Sequence, residues 1–391
     1  MAPNNALGNP TAAKMRAAAE GRPSKSPARR RSSTDVRKAS ADGFGAGEKT
    51  GVLDRSEVTS RGTGTATRTP LEEFEAKTRA EGLFTHELRC FWTCVMFLTR
   101  LPCPGWCDHH PGYLMRAMAY FPLIGALIGF WAAAFYDAAA SLWSPLVAAA
   151  LSMAGTLWLT GCFHEDGLCD TLDGFGGGWT KSQILKIMRD SRNGSYATMG
   201  GCIWVVAKAA LLATIGGDAS VWALRASVGA GPCLVVAQCL SRASAAPLIY
   251  AYEYVVDDED AKGEYYNWFG ESRRLLGRTR VALAVATAVT VATAVLPPGP
   301  ALRALLATAV GTFVAGEYGR SVLGGVMGDF LGATICCLEL AVYLAIVAEG
   351  PSDTSALLWL AIVVSLPQIY GTWRRWYEKR HGLATVPAQD C

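Results

Sequence analysis

Charged residues are scarce in this sequence of 391 residues. Only 18% are Asp, Glu, Lys or Arg and 51% are hydrophobic, whereas charged residues make up about a quarter of soluble domains. The net charge is only +3, from 36 Lys and Arg against 33 Asp and Glu. This composition argues against a soluble protein that binds nucleic acid and indicates a membrane protein whose surroundings are the lipid bilayer.

Large apolar residues are almost absent from residues 1–80, which are rich in Ala, Ser, Thr, Gly, Arg and Lys. Such a segment cannot form a hydrophobic core. It lacks the apolar stretch of a secretory signal, and its first 34 residues are poor in acidic side chains, as in organelle transit peptides. We expect a disordered basic tail or a targeting segment over 1–80, a membrane domain over 81–380 and a short tail over 381–391.

Apolar segments separated by short polar loops fill the chain from Phe84 onward. Residues 84–101 contain His86, Glu87 and Arg89, so we expect an interfacial or re-entrant helix there. The fold class expected is all-α, a polytopic membrane bundle of about seven or eight transmembrane helices with a cytoplasmic catalytic loop. Eight segments are long enough to span a bilayer: 114–137, 145–163, 197–216, 220–250, 281–297, 302–319, 333–349 and 356–373.

Lys and Arg are concentrated in alternate loops. The loops at 164–196 and 251–280 and the C-terminal end carry several each. Because cytoplasmic loops collect basic residues, we expect these loops and the short loop 320–332 on the cytoplasmic face of a bacterial inner membrane or an organelle membrane. The loops expected on the opposite face contain no Lys or Arg: 138–144, 217–219, 298–301 and 350–355.

Three aspartates stand in the stretch FHEDGLCDTLDGFGGG, residues 163–178. If this stretch is helical, Asp166, Asp170 and Asp173 lie at i, i+4 and i+7 and share one helix face. Like charges at this spacing repel and are partly desolvated beside an apolar span, so a divalent cation is the expected compensation. Ligands that are all oxygens favour Mg²⁺ or Mn²⁺. We therefore predict these three residues as metal ligands and Mg²⁺ as the cofactor.

Glycines and basic residues follow the aspartates. We expect Gly176 and Gly177 to lie where the helix ends, with backbone N–H groups that can approach a phosphate closely. Arg189 and Arg192, on the next helix, would contact that phosphate, or they follow only the excess of basic residues on the cytoplasmic side. Carboxylates, glycines and guanidinium groups in this order predict a phosphoryl-transfer site.

Three further residues are candidates for this site. His164 is either a base or ligand, or a residue that caps the helix start. Asp190 either touches the site or pairs with Lys186 at i−4. Asp329 lies in a second glycine-rich turn, GRSVLGGVMGDFLGA, and is a ligand, a phosphate-site residue or a turn former. Two acidic, glycine-rich turns on one face predict a divided site for metal and phosphate.

Several segments resemble one family in the same order along the chain. The signature of cobalamin synthases, the adenosylcobinamide-GDP ribazoletransferases, is similar to FHEDGLCDTLDGFGGG followed by KIMRDSRNGSYATMG. Four more segments resemble the family: FLTRLPCP, YFPLIGALIG, LSRASAAPLIY and GGVMGDFLGA. The resemblance covers most of residues 84–380.

The resemblance implies a transferase that joins adenosylcobinamide-GDP to α-ribazole or its 5′-phosphate and releases GMP. By analogy, a ribose hydroxyl attacks the phosphorus nearest the corrinoid, and one of Asp166, Asp170 and Asp173 accepts its proton. Whether the chain forms a homo-oligomer stays open.

Two other functions are compatible with the carboxylates alone. A CDP-alcohol phosphotransferase of phospholipid synthesis also spaces aspartates along a stretch that contains DG, but the longer string with its RDSR continuation is associated with cobalamin synthases. A divalent-cation transporter would bury its carboxylates in the middle of a span, whereas here they lie at the end of one.

Overall fold

The structure is a computed structural model that describes residues 69–107, 110–217, 229–255 and 268–348. In these ranges the protein is all-helical, as predicted, with a single isolated bridge between Tyr254 and Val326 as its only β-type pairing. The predicted span 356–373, the tail 381–391 and most of the predicted N-terminal tail lie outside the described residues.

Thirteen α-helices and one 3-10 turn, Met118–Tyr120, make up the described chain. In chain order the α-helices are α1 (Pro70–Ala80), α2 (Leu83–Leu98), α3 (Pro111–Ala117), α4 (Phe121–Ala140), α5 (Pro145–Thr160), α6 (Phe163–Gly177), α7 (Lys181–Met188), α8 (Ser195–Gly217), α9 (Ala230–Ala243), α10 (Ala245–Ala251), α11 (Ser272–Val295), α12 (Pro298–Leu323) and α13 (Gly328–Val347).

Six helical segments of the described chain are long and apolar enough to cross a membrane, and the bent pair α5–α6 would make a seventh. The six are Pro111–Ala140, α8, the pair α9–α10, α11, α12 and α13. This number agrees approximately with the seven or eight predicted, and the protein is an integral membrane protein. The segment predicted as interfacial forms α2, which has 16 residues and is therefore shorter than the roughly 20 residues of a typical crossing.

Helix α1 lies where the sequence predicted the end of a disordered tail. Thr69 and Glu72 form a reciprocal capping box, and Pro70 occupies the first turn, which are strong signals for a helix start. Leu71 and Phe74 are buried against the rest of the chain. Helix α1 thus packs against the chain that follows it, and the composition of residues 1–80 hid this short amphipathic segment. The domain boundary at residue 81 stays a prediction.

Helix α9 is the central helix of the bundle. The pair α9–α10 is more buried than the other candidate spans of the described chain. Helix α4 approaches it closely at Gly125 and Gly129, where a Cβ atom would lie 2.4 Å from the Gln238 carbonyl oxygen and 2.5 Å from the Val235 Cα. Small residues spaced by four are typical of closely packed membrane helices. This contact buries the polar side chains of α9 at the centre of the bundle.

A sharp bend separates α5 from α6. The two helix axes meet at 92°, and Gly161 (φ 69°) and Cys162 (φ 57°) both adopt the left-handed conformation at the bend. Glycine adopts this conformation readily, whereas it costs an ordinary side chain such as that of Cys162 about 1–2 kcal/mol. The stretch predicted as a catalytic loop is therefore largely helical, formed by α6 and α7.

Candidate active site

The three aspartates lie on one face of α6, as the sequence predicted. The helix is continuous from Phe163 to Gly177, so the i, i+4, i+7 spacing holds. Asp166 is exposed, whereas Asp170 and Asp173 are half-buried. The face begins directly after the bend, where the apolar helix α5 ends.

Asp173 joins α6 to the start of α8. One carboxylate oxygen accepts a hydrogen bond from the Gly194 N–H at 2.5 Å, and the other accepts from the Ala197 N–H at 2.9 Å. A carboxylate at this position satisfies N–H groups that have no partner within the helix and interacts favourably with the helix dipole. Asp173 thus has a capping role that the sequence did not reveal, and its role as a metal ligand stays a prediction.

Asp329 packs against the aspartate helix. A Cβ atom at Gly167 would lie 2.7 Å from the Asp329 carbonyl oxygen and 3.0 Å from its Cα. The first turn of α13 therefore rests on α6 between Asp166 and Asp170. The predicted approach of the two acidic segments is confirmed, and it depends on glycine at position 167.

A short backbone pairing holds the second acidic turn in place. The Val326 N–H donates to the Glu253 carbonyl oxygen, and the Val255 N–H donates to the Val326 carbonyl oxygen, both at 2.8 Å. The segment after α10 and the turn before α13 are thereby joined. All three segments predicted to share one face, those at 164–196, 251–280 and 320–332, thus contribute described residues to one end of the bundle.

The glycine run differs from the prediction. We expected the helix to end after Asp173, but α6 continues to Gly177. A Cβ atom at Gly174 would lie 2.5 Å from the Met188 Cγ, and one at Gly176 would lie 2.5 Å from the Tyr196 ring. The glycines admit these side chains, and their N–H groups lie within a helix, where carbonyls four residues earlier accept them. Binding of substrate by Gly176 and Gly177 stays a prediction.

Asp190 and Arg192 form an exposed ion pair between α7 and α8. The Arg192 Nη2 and Asp190 Oδ2 are 2.5 Å apart, and the Arg192 Nε donates to Oδ1 at 2.9 Å. This guanidinium lowers the pKa of Asp190 to about 2. The partner of Asp190 is thus Arg192 and not Lys186. Arg189, which ends α7, is also exposed.

His164 is buried, with 4% of its surface exposed. It precedes Asp166 by two residues, which places it about 200° away around the helix. Its backbone lies against Gly332 of α13, where a Cβ atom would be 3.2 Å from the His164 carbonyl oxygen. The side chain therefore faces the bundle and not the acidic face. Its role as a base or ligand stays a prediction that this position does not favour.

A buried ion pair lies beside the site and was not predicted as a pair. The Lys208 Nζ on α8 and the Glu339 Oε1 on α13 are 2.8 Å apart, and both residues are at most 3% exposed. The Tyr343 hydroxyl donates to the same oxygen at 2.9 Å. Each charge was visible in the sequence as an ionisable residue within an apolar span, which usually has a partner. Only the packing of α8 against α13 reveals the partner.

Residues of α9 extend this ion pair into a buried network. The Gln238 Nε2 donates to Glu339 Oε1 at 2.5 Å, and the Arg242 Nη1 donates to Gln238 Oε1. The Arg242 Nε and the Glu165 Oε2 are buried without a hydrogen-bond partner among the described residues. We call Lys208, Gln238, Arg242 and Glu339 the buried network.

The donor set at the acidic face suits Mg²⁺ only in part. In the described ranges, no group of three or more His, Cys, Asp and Glu side chains is arranged to hold a metal ion. Mg²⁺ in phosphoryl-transfer sites is usually held by one or two carboxylates together with waters and substrate phosphates. Asp166 and Asp170, one helical turn apart, fit this requirement, whereas both oxygens of Asp173 accept backbone N–H groups.

Comparisons with known proteins agree on one family. The family described as cobalamin-5-phosphate synthase matches residues 90–347. The adenosylcobinamide-GDP ribazoletransferase of Leptothrix cholodnii is 38% identical over 262 residues, which are 66% of this chain and 95% of the relative. The protein of the same name from Shewanella halifaxensis is 34% identical over 273 residues, which are 69% of this chain and 99% of the relative. No solved structure matches the chain.

The matched range contains both acidic segments and the buried network, and it begins after α1 and the first turns of α2. This match does not favour the CDP-alcohol phosphotransferase or the transporter. The chain is an enzyme that belongs to the cobalamin-5-phosphate synthase family.

Proposed function

We propose that this protein joins adenosylcobinamide-GDP to α-ribazole or its 5′-phosphate at the acidic face of α6, and releases GMP. The observation that carries the proposal is the packing of Asp329 on Gly167, which brings a second acidic turn against the helix of Asp166 and Asp170. Two acidic segments on one end of an apolar bundle suit a diphosphate-linked substrate and its metal ion.

The reaction breaks the phosphoanhydride bond of the diphosphate and forms a phosphodiester bond. The ribose hydroxyl oxygen bonds to the phosphorus nearest the corrinoid, the bond from that phosphorus to the bridging oxygen breaks, and GMP leaves with this oxygen. The hydroxyl proton passes to a carboxylate of the acidic face, and Asp166 and Asp170 are the candidates. Arg189 and Arg192 are exposed, and we propose that they contact phosphate oxygens.

Mg²⁺ is the cofactor that we propose for this site, held by Asp166 and Asp170. When bound, it would neutralise the charge that develops on the diphosphate as GMP leaves. Asp173 adds negative charge to the same face and anchors the helix to α8. We further propose that this end of the bundle faces the cytoplasm, because the basic loops lie at the same end.

The test is an assay of GMP release by the purified full chain with adenosylcobinamide-GDP and α-ribazole. Asp166→Asn and Asp170→Asn should each reduce the rate by more than about a hundredfold. Even substitution of residues that only hydrogen-bond to metal ligands lowers metal affinity or activity about ten- to a hundredfold. Asp137→Asn is the matched control, because Asp137 is an exposed carboxylate near the far end of α4. Activity should also be lost in a chelator and return with Mg²⁺.

Full activity in both aspartate variants would overturn the assignment of the acidic face while leaving the family membership intact. Activity that persists in the chelator would remove the metal from the proposal. A rate that falls equally in Asp137→Asn would mean that the assay responds to general damage and not to the acidic face.

A further inference from the structure

A polar cavity is lined by residues that do not belong to the acidic face. It has a volume of about 620 Å³ and opens where Pro111–Ala140 and α11, two of the candidate spans, begin. Helices α1 and α2 form its other walls. Its basic lining residues are Arg79, Arg116 and Arg280, and His86 contributes a buried imidazole. Neither the sequence motifs nor the proposed reaction uses this cavity.

The glutamates around the cavity already have partners. Glu87 pairs with Arg280 at 2.5 Å and accepts from the Tyr120 hydroxyl at 2.7 Å. Glu81 accepts from the Tyr113 hydroxyl at 2.7 Å. Glu75 pairs with Arg274 at 3.1 Å, outside the cavity lining, and with the exposed Arg79 at 3.4 Å. These carboxylates are thus directed to other groups and do not neutralise the remaining arginine.

Arg116 is that remaining arginine. It is half-buried and forms no ion pair with a carboxylate of the described residues; its contacts are the His86 Nε2 at 3.2 Å and the Phe74 ring at 5.0 Å. Burial, with Arg116 and Arg280 nearby, lowers the pKa of His86. The imidazole is therefore neutral at pH 7 and does not compensate the charge of Arg116. A guanidinium in a cavity without a counter-ion is a typical contact for a phosphate group.

Two large apolar side chains stand at the rim. Leu83 and Phe84, the first residues of α2, are 84% and 80% exposed, and Leu83 also lines the cavity. Exposed apolar residues at the end of a membrane bundle are suited to contact acyl chains, and basic pockets between membrane helices bind anionic lipid head groups. The basic cavity and these apolar side chains are therefore neighbours, just as the head group and the acyl chains are neighbours in a lipid.

We propose that this cavity binds the phosphate group of an anionic membrane lipid, with Arg116 as the main contact, Arg79 at the rim, and Leu83 and Phe84 against the acyl chains. A free phosphate shares the head-group chemistry but not the acyl contact. The site is separate from the acidic face, so the proposal does not depend on the reaction.

Thermal unfolding of the purified, delipidated full chain in detergent tests the site with three probes: phosphatidylglycerol, phosphatidylcholine and inorganic phosphate at constant ionic strength. Phosphatidylglycerol should raise the Tm by about 2 °C or more, because a ligand that binds only the folded state stabilises it. Arg116→Gln should lose most of this shift, and Arg79→Gln, which changes an exposed residue, should lose part of it. Arg320→Gln should keep it, since Arg320 pairs with Glu317 outside the cavity.

The double variant Leu83→Ser/Phe84→Ser separates the two sources of phosphate. If a lipid is the occupant, the variant loses the shift with phosphatidylglycerol, and inorganic phosphate has little effect on any form. If inorganic phosphate alone gives the full Tm shift and Arg116→Gln abolishes it, the cavity is an anion site, and the proposal that a lipid occupies it is overturned. An equal shift with phosphatidylcholine, or a full shift in both Arg116→Gln and Arg79→Gln, overturns the site altogether.

Discussion

The acidic face of α6 and the buried network show two ways in which this bundle accommodates charge. On α6, Asp166, Asp170 and Asp173 place one sign of charge on one face, exposed or half-buried. In the network, Lys208 faces Glu339 at 2.8 Å in the interior. A pair of opposite charges is compensated within the protein, whereas a face of like charges is suited to an external cation. The difference distinguishes charges that are paired inside the fold from the charges that we propose for the reaction.

The largest effect on stability is expected in the network. Lys208→Met leaves Glu339 buried without its ion-pair partner and should lower the free energy of unfolding by about 3–5 kcal/mol. The measurement is thermal or denaturant unfolding in detergent. The double variant Lys208→Met/Glu339→Gln, which removes both charges, should recover most of the loss. A single variant as stable as the wild type would show that the pair does not carry this part of the fold.

An intermediate effect on stability is expected at Asp173, which caps α8 and also belongs to the acidic face. Asp173→Ala removes the cap of α8 and should cost about 1 kcal/mol, measured by the same unfolding assay. Asp173→Asn keeps one oxygen that can accept an N–H but replaces the other with an NH2 donor, so it should cost about 0.5 kcal/mol. If Asp173→Asn is stable but inactive in GMP release, the negative charge serves the reaction; if it is fully active, Asp173 is only a cap.

The smallest effect is expected at the exposed pair of Asp190 and Arg192. Because Arg192 lowers the pKa of Asp190 to about 2, the pair stabilises the folded state above the unfolded pKa of about 3.9 and loses this contribution as the pH falls towards 2. Both side chains lie in water, where ion pairs contribute little. Asp190→Asn should therefore leave the Tm at pH 7 unchanged. If Asp190→Asn lowered the Tm as much as Lys208→Met, the expected difference between exposed and buried ion pairs would be wrong.

The sequence predicted the parts of the fold that depend on periodicity and hydropathy. The i, i+4, i+7 spacing correctly predicted the acidic face of α6. The alternation of basic loops placed the segment of Asp329 on the same face of the bundle, and the structure confirms that this segment contacts α6. The spans agree approximately in number because a crossing needs a fixed length of apolar chain. Helix α1 was also visible, in the Thr69 and Glu72 capping box, but the composition of the surrounding segment obscured it.

What the sequence could not predict depends on contacts between distant segments. The glycines after Asp173 predict a helix end by propensity, yet Met188 and Tyr196 pack against them and α6 continues. The bend at Gly161 and Cys162 rests on two left-handed residues that hydropathy does not detect. The partner of Lys208 lies 131 positions away on α13, and no local pattern identifies it.

The contact of Gly167 with Asp329 has a consequence for how this enzyme can change. A methyl group at position 167 would force the two helices apart, because its carbon would overlap the main chain of α13 at Asp329. The distance between the two acidic segments is thus set by a backbone contact at Gly167 and not by a side chain. Side chains around the contact can therefore be exchanged during evolution while the distance between the two acidic segments stays the same.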